Sequence, residues 1–101
     1  MRPLYFVLSQ GAAGTTQIAP ASPGNRHFVL GIVISLNNDG TWRLIDESGN
    51  LTGSIKQDGQ LQPVVVGPNL IPFCQAAVNS ALSIVTTQAA QGVVIFATEP
   101  Q

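Results

Sequence analysis

Turn-forming clusters recur about every ten residues along this chain, and that spacing limits its fold more than any other feature. They are Gly11-Ala12-Ala13-Gly14, Pro20-Ala21-Ser22-Pro23-Gly24, Asn37-Asn38-Asp39-Gly40, Asp46-Glu47-Ser48-Gly49-Asn50, Gln57-Asp58-Gly59-Gln60, Gly67-Pro68-Asn69 and Gln88-Ala89-Ala90-Gln91-Gly92. Gly, Asn and Asp tolerate the positive φ of tight turns, and Pro presets one turn angle. Between the clusters lie short runs rich in Val, Ile, Leu, Phe and Thr. This rhythm excludes βαβ units and predicts a single-domain antiparallel β-sandwich, all-β and jelly-roll-like, with about eight strands and no substantial helix.

The longest run, Asn25 to Leu36, is the predicted central strand. A period of two places Phe28, Leu30, Ile32, Ile34 and Leu36 on a bulky face and Val29, Gly31, Val33 and Ser35 on a small one. The bulky face is expected to meet Trp42 and Leu44 of the next strand, Thr41 to Ile45, in the core. Further strands are expected at Leu4 to Leu8, Thr15 to Ala19, Leu51 to Lys56, Leu61 to Val66, Leu70 to Ala76, Leu82 to Thr87 and Val93 to Thr98. Val94 and Phe96 should share a face. Pro63 and Pro72 mark their runs as edge or irregular strands. Ala76 to Leu82 carries alanines at helical spacing, but Asn79-Ser80 reads as a turn before a strongly β-forming run.

With 101 residues there is room for one core. Residues 1–14 are expected to be an arm or an edge strand ending in a glycine joint, and residues 15–101 the sandwich. Only 9% of the residues are charged, although 45% are hydrophobic. Soluble domains usually carry about 25% charge, so part of the surface is expected to lie against a partner. Arg2, Arg26, Arg43 and Lys56 are scattered and the net charge is −1, which gives no footprint for nucleic acid. The apolar run after Arg2 is too short for a signal peptide, and no run spans a membrane.

Candidate chemistry is sparse. Cys74 is the single cysteine and reads as a small core residue, so no disulfide or cysteine zinc cluster forms within one chain. His27 is the single histidine and reads as a strand-end polar residue, with no nucleophile elbow to serve. Asp39, Asp46, Glu47 and Asp58 fall in turns, where backbone geometry accounts for them. No catalytic residue, metal site or cofactor is expected, and the chain is read as a non-enzyme.

Four segments carry a family resemblance: G-N-R-H-F-V-L-G-I-V-I-S-L (Gly24 to Leu36), D-E-S-G-N-L-T-G-S-I (Asp46 to Ile55), N-S-A-L-S-I-V-T-T (Asn79 to Thr87) and G-V-V-I-F (Gly92 to Phe96). Together they resemble the small decoration, or cement, proteins of tailed-bacteriophage capsids. The resemblance covers most of residues 15 to 98 and leaves Met1 to Gly14 outside. It implies a homotrimeric jelly roll, made in the host cytoplasm, that sits on the outer surface of the virion and bridges major capsid subunits. Leu4, Tyr5 and Phe6 are the expected capsid contact, and Val29, Gly31 and Val33 the expected trimer interface. The rival reading is a trimeric receptor- or glycan-binding head of a phage fibre or surface appendage.

Overall fold

A computed structural model describes residues 2–58, 64–67, 72 and 74–101. The described residues form ten strands: β1 (Leu4–Gln10), β2 (Gly14–Ala19), β3 (Asn25–Leu36), β4 (Gly40–Asp46), β5 (Gly49–Asn50), β6 (Ile55–Gln57), β7 (Val64–Val66), β8 (Cys74–Gln75), β9 (Leu82–Thr86) and β10 (Ala90–Pro100). No helix occurs among the described residues. β5 has no counterpart among the expected runs: Gly49 and Asn50, read as part of a turn, pair with Asp46 and Ile45.

Strands from the two halves of the chain pair with one another. β1 lies antiparallel to β10, β2 to β9, β3 to β7 and β8, and β4 to β5 and β6. These pairs describe one long hairpin bent at the β4–β5 turn. Rolling that hairpin up adds two further pairings, β10 with β3 and β9 with β4. The result is the jelly-roll form of a β-sandwich. Its first sheet runs β1-β10-β3-β7 with β8 also on β3, and its second runs β2-β9-β4-β5 with β6 also on β4. Leu4–Gln10 is thus an edge strand, and it sends Phe6 and Leu8 against the core.

The two sheets enclose Leu8, Ile18, Val29, Ile32, Ile34, Leu36, Trp42, Leu44, Leu82, Ile84, Val94 and Phe96. Trp42, Leu44, Val94 and Phe96 therefore meet as the alternation predicts. The central strand departs from expectation at one point. Its pairing with β10 shifts between Ile95 and Phe96, which face Gly31 and Val29 and leave Leu30 without a partner in the ladder. An extra residue in one strand reverses the phase of alternation. Ile32, Ile34 and Leu36 point inward as expected, but beyond the bulge it is Val29 and His27 that do so. Phe28 falls on the outer face, opposite Ala97.

Three other segments differ from the sequence reading. Ala90, Gln91 and Gly92 open β10 instead of closing a loop, because Leu36, Ser35 and Ile34 flank them on one side and Gln10, Ser9 and Leu8 on the other. At Gly92 the strands approach so closely that a Cβ would collide with the Val33 carbonyl, which accounts for glycine inside a strand. Leu51 and Thr52 do not join a strand; both of their amides donate to the Leu44 carbonyl, at 2.8 and 3.3 Å. The expected strands Leu61 to Val66 and Leu70 to Ala76 appear as Val64–Val66 and Cys74–Gln75, and residues 61–63, 70, 71 and 73 lie outside the described residues. Asn79 adopts φ of 66°, the left-handed geometry expected of a turn residue at that place.

Leu8 is 1% exposed, so truncation to Ala removes buried methyl groups and leaves a cavity. Leu8→Ala should cost about 2–4 kcal/mol of unfolding free energy. Tyr5→Ala, at a position on the opposite face of the strand from Phe6 and Leu8, should cost less than about 0.5 kcal/mol. Urea titrations of both variants check this contrast.

Candidate binding surface

Alternation along the first sheet fixes what its outer face presents. Because Leu8, Val94 and Ile34 point into the core, Val7, Val93 and Val33 point out. The registers align them in one row across four strands, Val7 beside Val93, Val93 beside Val33, and Val33 beside Val65. The next row toward the start of β1 aligns Tyr5, Ile95 and Gly31. Val7 is 72% exposed, Tyr5 68% and Val65 60%, while Val33, Val93 and Ile95 are half-buried. The band contains no charged residue. On one side it is bounded by the row Ser9, Gln91, Ser35, and farther along on the other by the oppositely charged neighbours Glu99 and Arg26. An apolar centre with a polar margin is the usual anatomy of a protein interface.

The expected contact residues separate on this geometry. Tyr5 lies within the band, and Leu4 is 41% exposed at the start of the strand. Phe6 is turned the other way, half-buried against the core, and does not lie in the band. The expected trimer residues also divide. Val29 is fully buried in the core because the Leu30 bulge reversed the phase; Gly31 lies in the outer row beside Ile95 but is itself covered, and Val33 is half-buried on the same face. Val7, Val65, Val93 and Ile95 were missed. Their signal was the unbroken apolar runs Leu4 to Leu8, Val64 to Val66 and Val93 to Phe96, which offer hydrophobic residues to both strand faces.

Three of the polar residues that the sequence raised as candidate chemistry, His27, Asp46 and Glu47, are fasteners between elements. His27 is 3% exposed; its Nε2–H donates to the Pro20 carbonyl at 2.8 Å, and its Nδ1 is hydrogen-bonded to the Thr98 hydroxyl at 2.7 Å. A carbonyl can only accept, so it fixes the proton on Nε2. The Phe96 ring stands edge-on to this imidazole at 6.2 Å. Asp46 Oδ1 accepts from the Ser48 and Gly49 amides at 2.8 and 3.1 Å, while Oδ2 accepts from the Ala77 amide at 2.9 Å. Glu47 donates its amide to Ser80 Oγ at 2.8 Å and accepts the Ala81 amide on Oε2 at 3.3 Å. Both acids thereby pin the β4–β5 turn to the β8–β9 loop.

A second concavity lies at the end of the sandwich where the turns after β1, β3 and β9 meet. It has a volume of about 210 Å³ and is lined by Ser9, Gln10, Gly11, Asn37, Ala89, Ala90 and Gln91. Gln10 is held there by Nε2 donation to the Ala12 carbonyl and Thr86 Oγ1, both at 2.8 Å, and by acceptance from Thr16 Oγ1 at 2.8 Å. Among the described residues no group of three or more His, Cys, Asp or Glu side chains could hold a metal ion.

Comparison with known proteins yields little. No protein-family model matches the chain, and no curated protein matches it. One solved structure with a similar course is described as the EclA C-terminal domain, a sugar-binding protein. It shares 10% sequence identity over 97% of this chain and 77% of that one, with a TM-score of 0.47. A likeness of that size carries no argument about function.

Cys74 faces inward opposite Val29 and packs against the core. Burial pushes its thiol up to about 11. At pH 8 it should react with an aromatic disulfide reagent about 10- to 100-fold more slowly than free cysteine, because the thiolate is the nucleophile. Denaturant should restore the rate. The thiol holds its proton more tightly folded than unfolded, so stability should fall as pH rises through the ordinary thiol range toward 11.

Proposed function

We propose that this chain is a non-catalytic attachment protein that docks the outer face of its first sheet on a larger protein assembly. The observation that carries the reading is the uncharged four-strand band of Val7, Val93, Val33 and Val65 with Tyr5 and Ile95 beside it. Burying an exposed Val or Tyr there gains about 1.5–3 kcal/mol each before the costs of association.

The specific form of this proposal is a capsid decoration protein, which the resemblance of Gly24 to Leu36 and the three later segments supports. Such a protein binds the assembled shell and not its free subunits. It therefore stabilises the shell by mass action, as any ligand stabilises the state it prefers. Several copies held together would multiply weak contacts into firm attachment. The glycan-binding alternative draws on a different place, the concavity lined by Ser9, Asn37 and Gln91, whose uncharged hydrogen-bonding groups suit sugar hydroxyls.

Mixing the protein with empty, expanded shells of the phage that encodes it should carry it into the pellet on centrifugation. Val65→Lys combined with Val93→Lys should weaken that binding at least about tenfold while leaving the circular dichroism unchanged. Absence of the wild type from the pellet would remove the decoration reading. Retention on immobilised glycans, lost on Gln91→Ala, would replace it with the sugar-binding one.

A further inference from the structure

A β-sheet edge offers unpaired amides and carbonyls to any extended chain, and proteins ordinarily guard it with short strands, bulges, prolines or charges. Three of the four edges here are guarded. The first sheet ends on one side in β7 and β8, of three and two residues. The second ends in β5 and β6, of two and three residues, and on its other side in β2, whose register shifts between Gln17 and Ala19. The fourth edge is β1, and it has none of these devices. It runs seven residues in unbroken register with β10, contains no proline and no charge, and nothing among the described residues pairs with its outer side. It also carries Leu4, Tyr5 and Val7, three of the four large hydrophobic side chains that are exposed among the described residues.

We infer that β1 is the contact between two copies of this chain, pairing antiparallel with the same strand of a second copy about a two-fold axis. An isologous contact of this kind needs a surface that complements itself. β1 meets that condition with the axis beside Phe6, which sets Leu4 opposite the partner's Leu8, Tyr5 opposite the partner's Val7, and Phe6 opposite the partner's Phe6. Moving the axis by one residue to Val7 sets Leu4 opposite Gln10 and Tyr5 opposite Ser9, an apolar side chain against a polar one in each case. Cross-strand apolar matches select the first register. The two first sheets then become one continuous sheet, and their outer apolar bands meet across the axis. The contact does not depend on attachment to a shell, and it makes a dimer where the family resemblance implies a trimer.

Sedimentation of the wild type at about 10–100 μM, a range in which specific interfaces of this kind assemble, should show a dimer. Tyr5→Lys/Val7→Lys places lysines opposite lysines on fully accessible positions and should raise the dissociation constant at least about tenfold, with unchanged thermal unfolding. Tyr5→Glu/Val7→Glu should behave alike, and an equimolar mixture of the two variants should associate again as a heterodimer. Hydrogen exchange of the wild type provides a check free of any substitution, with protection of amides in Leu4 to Leu8 rising with protein concentration. A monomer or a trimer, a lysine variant that still dimerises, a mixture that stays apart, or exchange independent of concentration would each overturn the β1 pairing.

Discussion

The pairing of β3 with β10 is the constraint on which the rest of the structure depends. These are the two longest strands, and they lie at the centre of the first sheet with β1 outside one and β7 and β8 outside the other. Their alignment from Ala90 opposite Leu36 to Pro100 opposite Asn25 turns an open hairpin into a closed roll. The Leu30 bulge lets one strand supply the core along its whole length despite the twist of the sheet, with Ile32, Ile34 and Leu36 before it and Val29 beyond it. Without the shift, Leu30 and Phe28 would point inward and His27 would lose its place under Thr98.

Polar side chains in this fold serve closure. His27 ties the β2–β3 loop at Pro20 to β10 through Thr98. Asp46 and Glu47 tie the β4–β5 turn to the loop before β9, and Gln10 ties the β1–β2 corner to β9 through Thr86. A chain with so few charges relies on such neutral or partly exposed hydrogen bonds to set its corners, since each otherwise unpaired buried group would cost about 1–3 kcal/mol. The same economy leaves the band of Val7, Val93, Val33 and Val65 on the first sheet without charge. The surface therefore divides into a polar, hydrogen-bonded rim and an apolar face that continues to the edge strand β1.

Much of the local structure was legible in the sequence. The ends of the central strand at Asn25 and Leu36, the inward direction of Trp42 and Leu44, the shared face of Val94 and Phe96, and the turn at Asn79 all follow from residue types and a period of two. The candidate surface was only half legible. Tyr5 and Val33 were singled out and lie on the outer face, but Phe6 and Val29 were placed with them and point inward.

What the sequence determined by itself is the set of strands and turns, because alternation and turn chemistry act between residues a few positions apart. What only the tertiary structure decided is the phase of the central strand, the recruitment of Ala90 to Gly92 into β10, and the identity of the exposed edge. Those depend on register between segments more than 50 residues apart, such as Gly31 with Ile95 and Leu8 with Gly92. A single extra residue in that register exchanges the two faces of a strand, and nothing in the local run from Asn25 to Leu36 announces where it will fall.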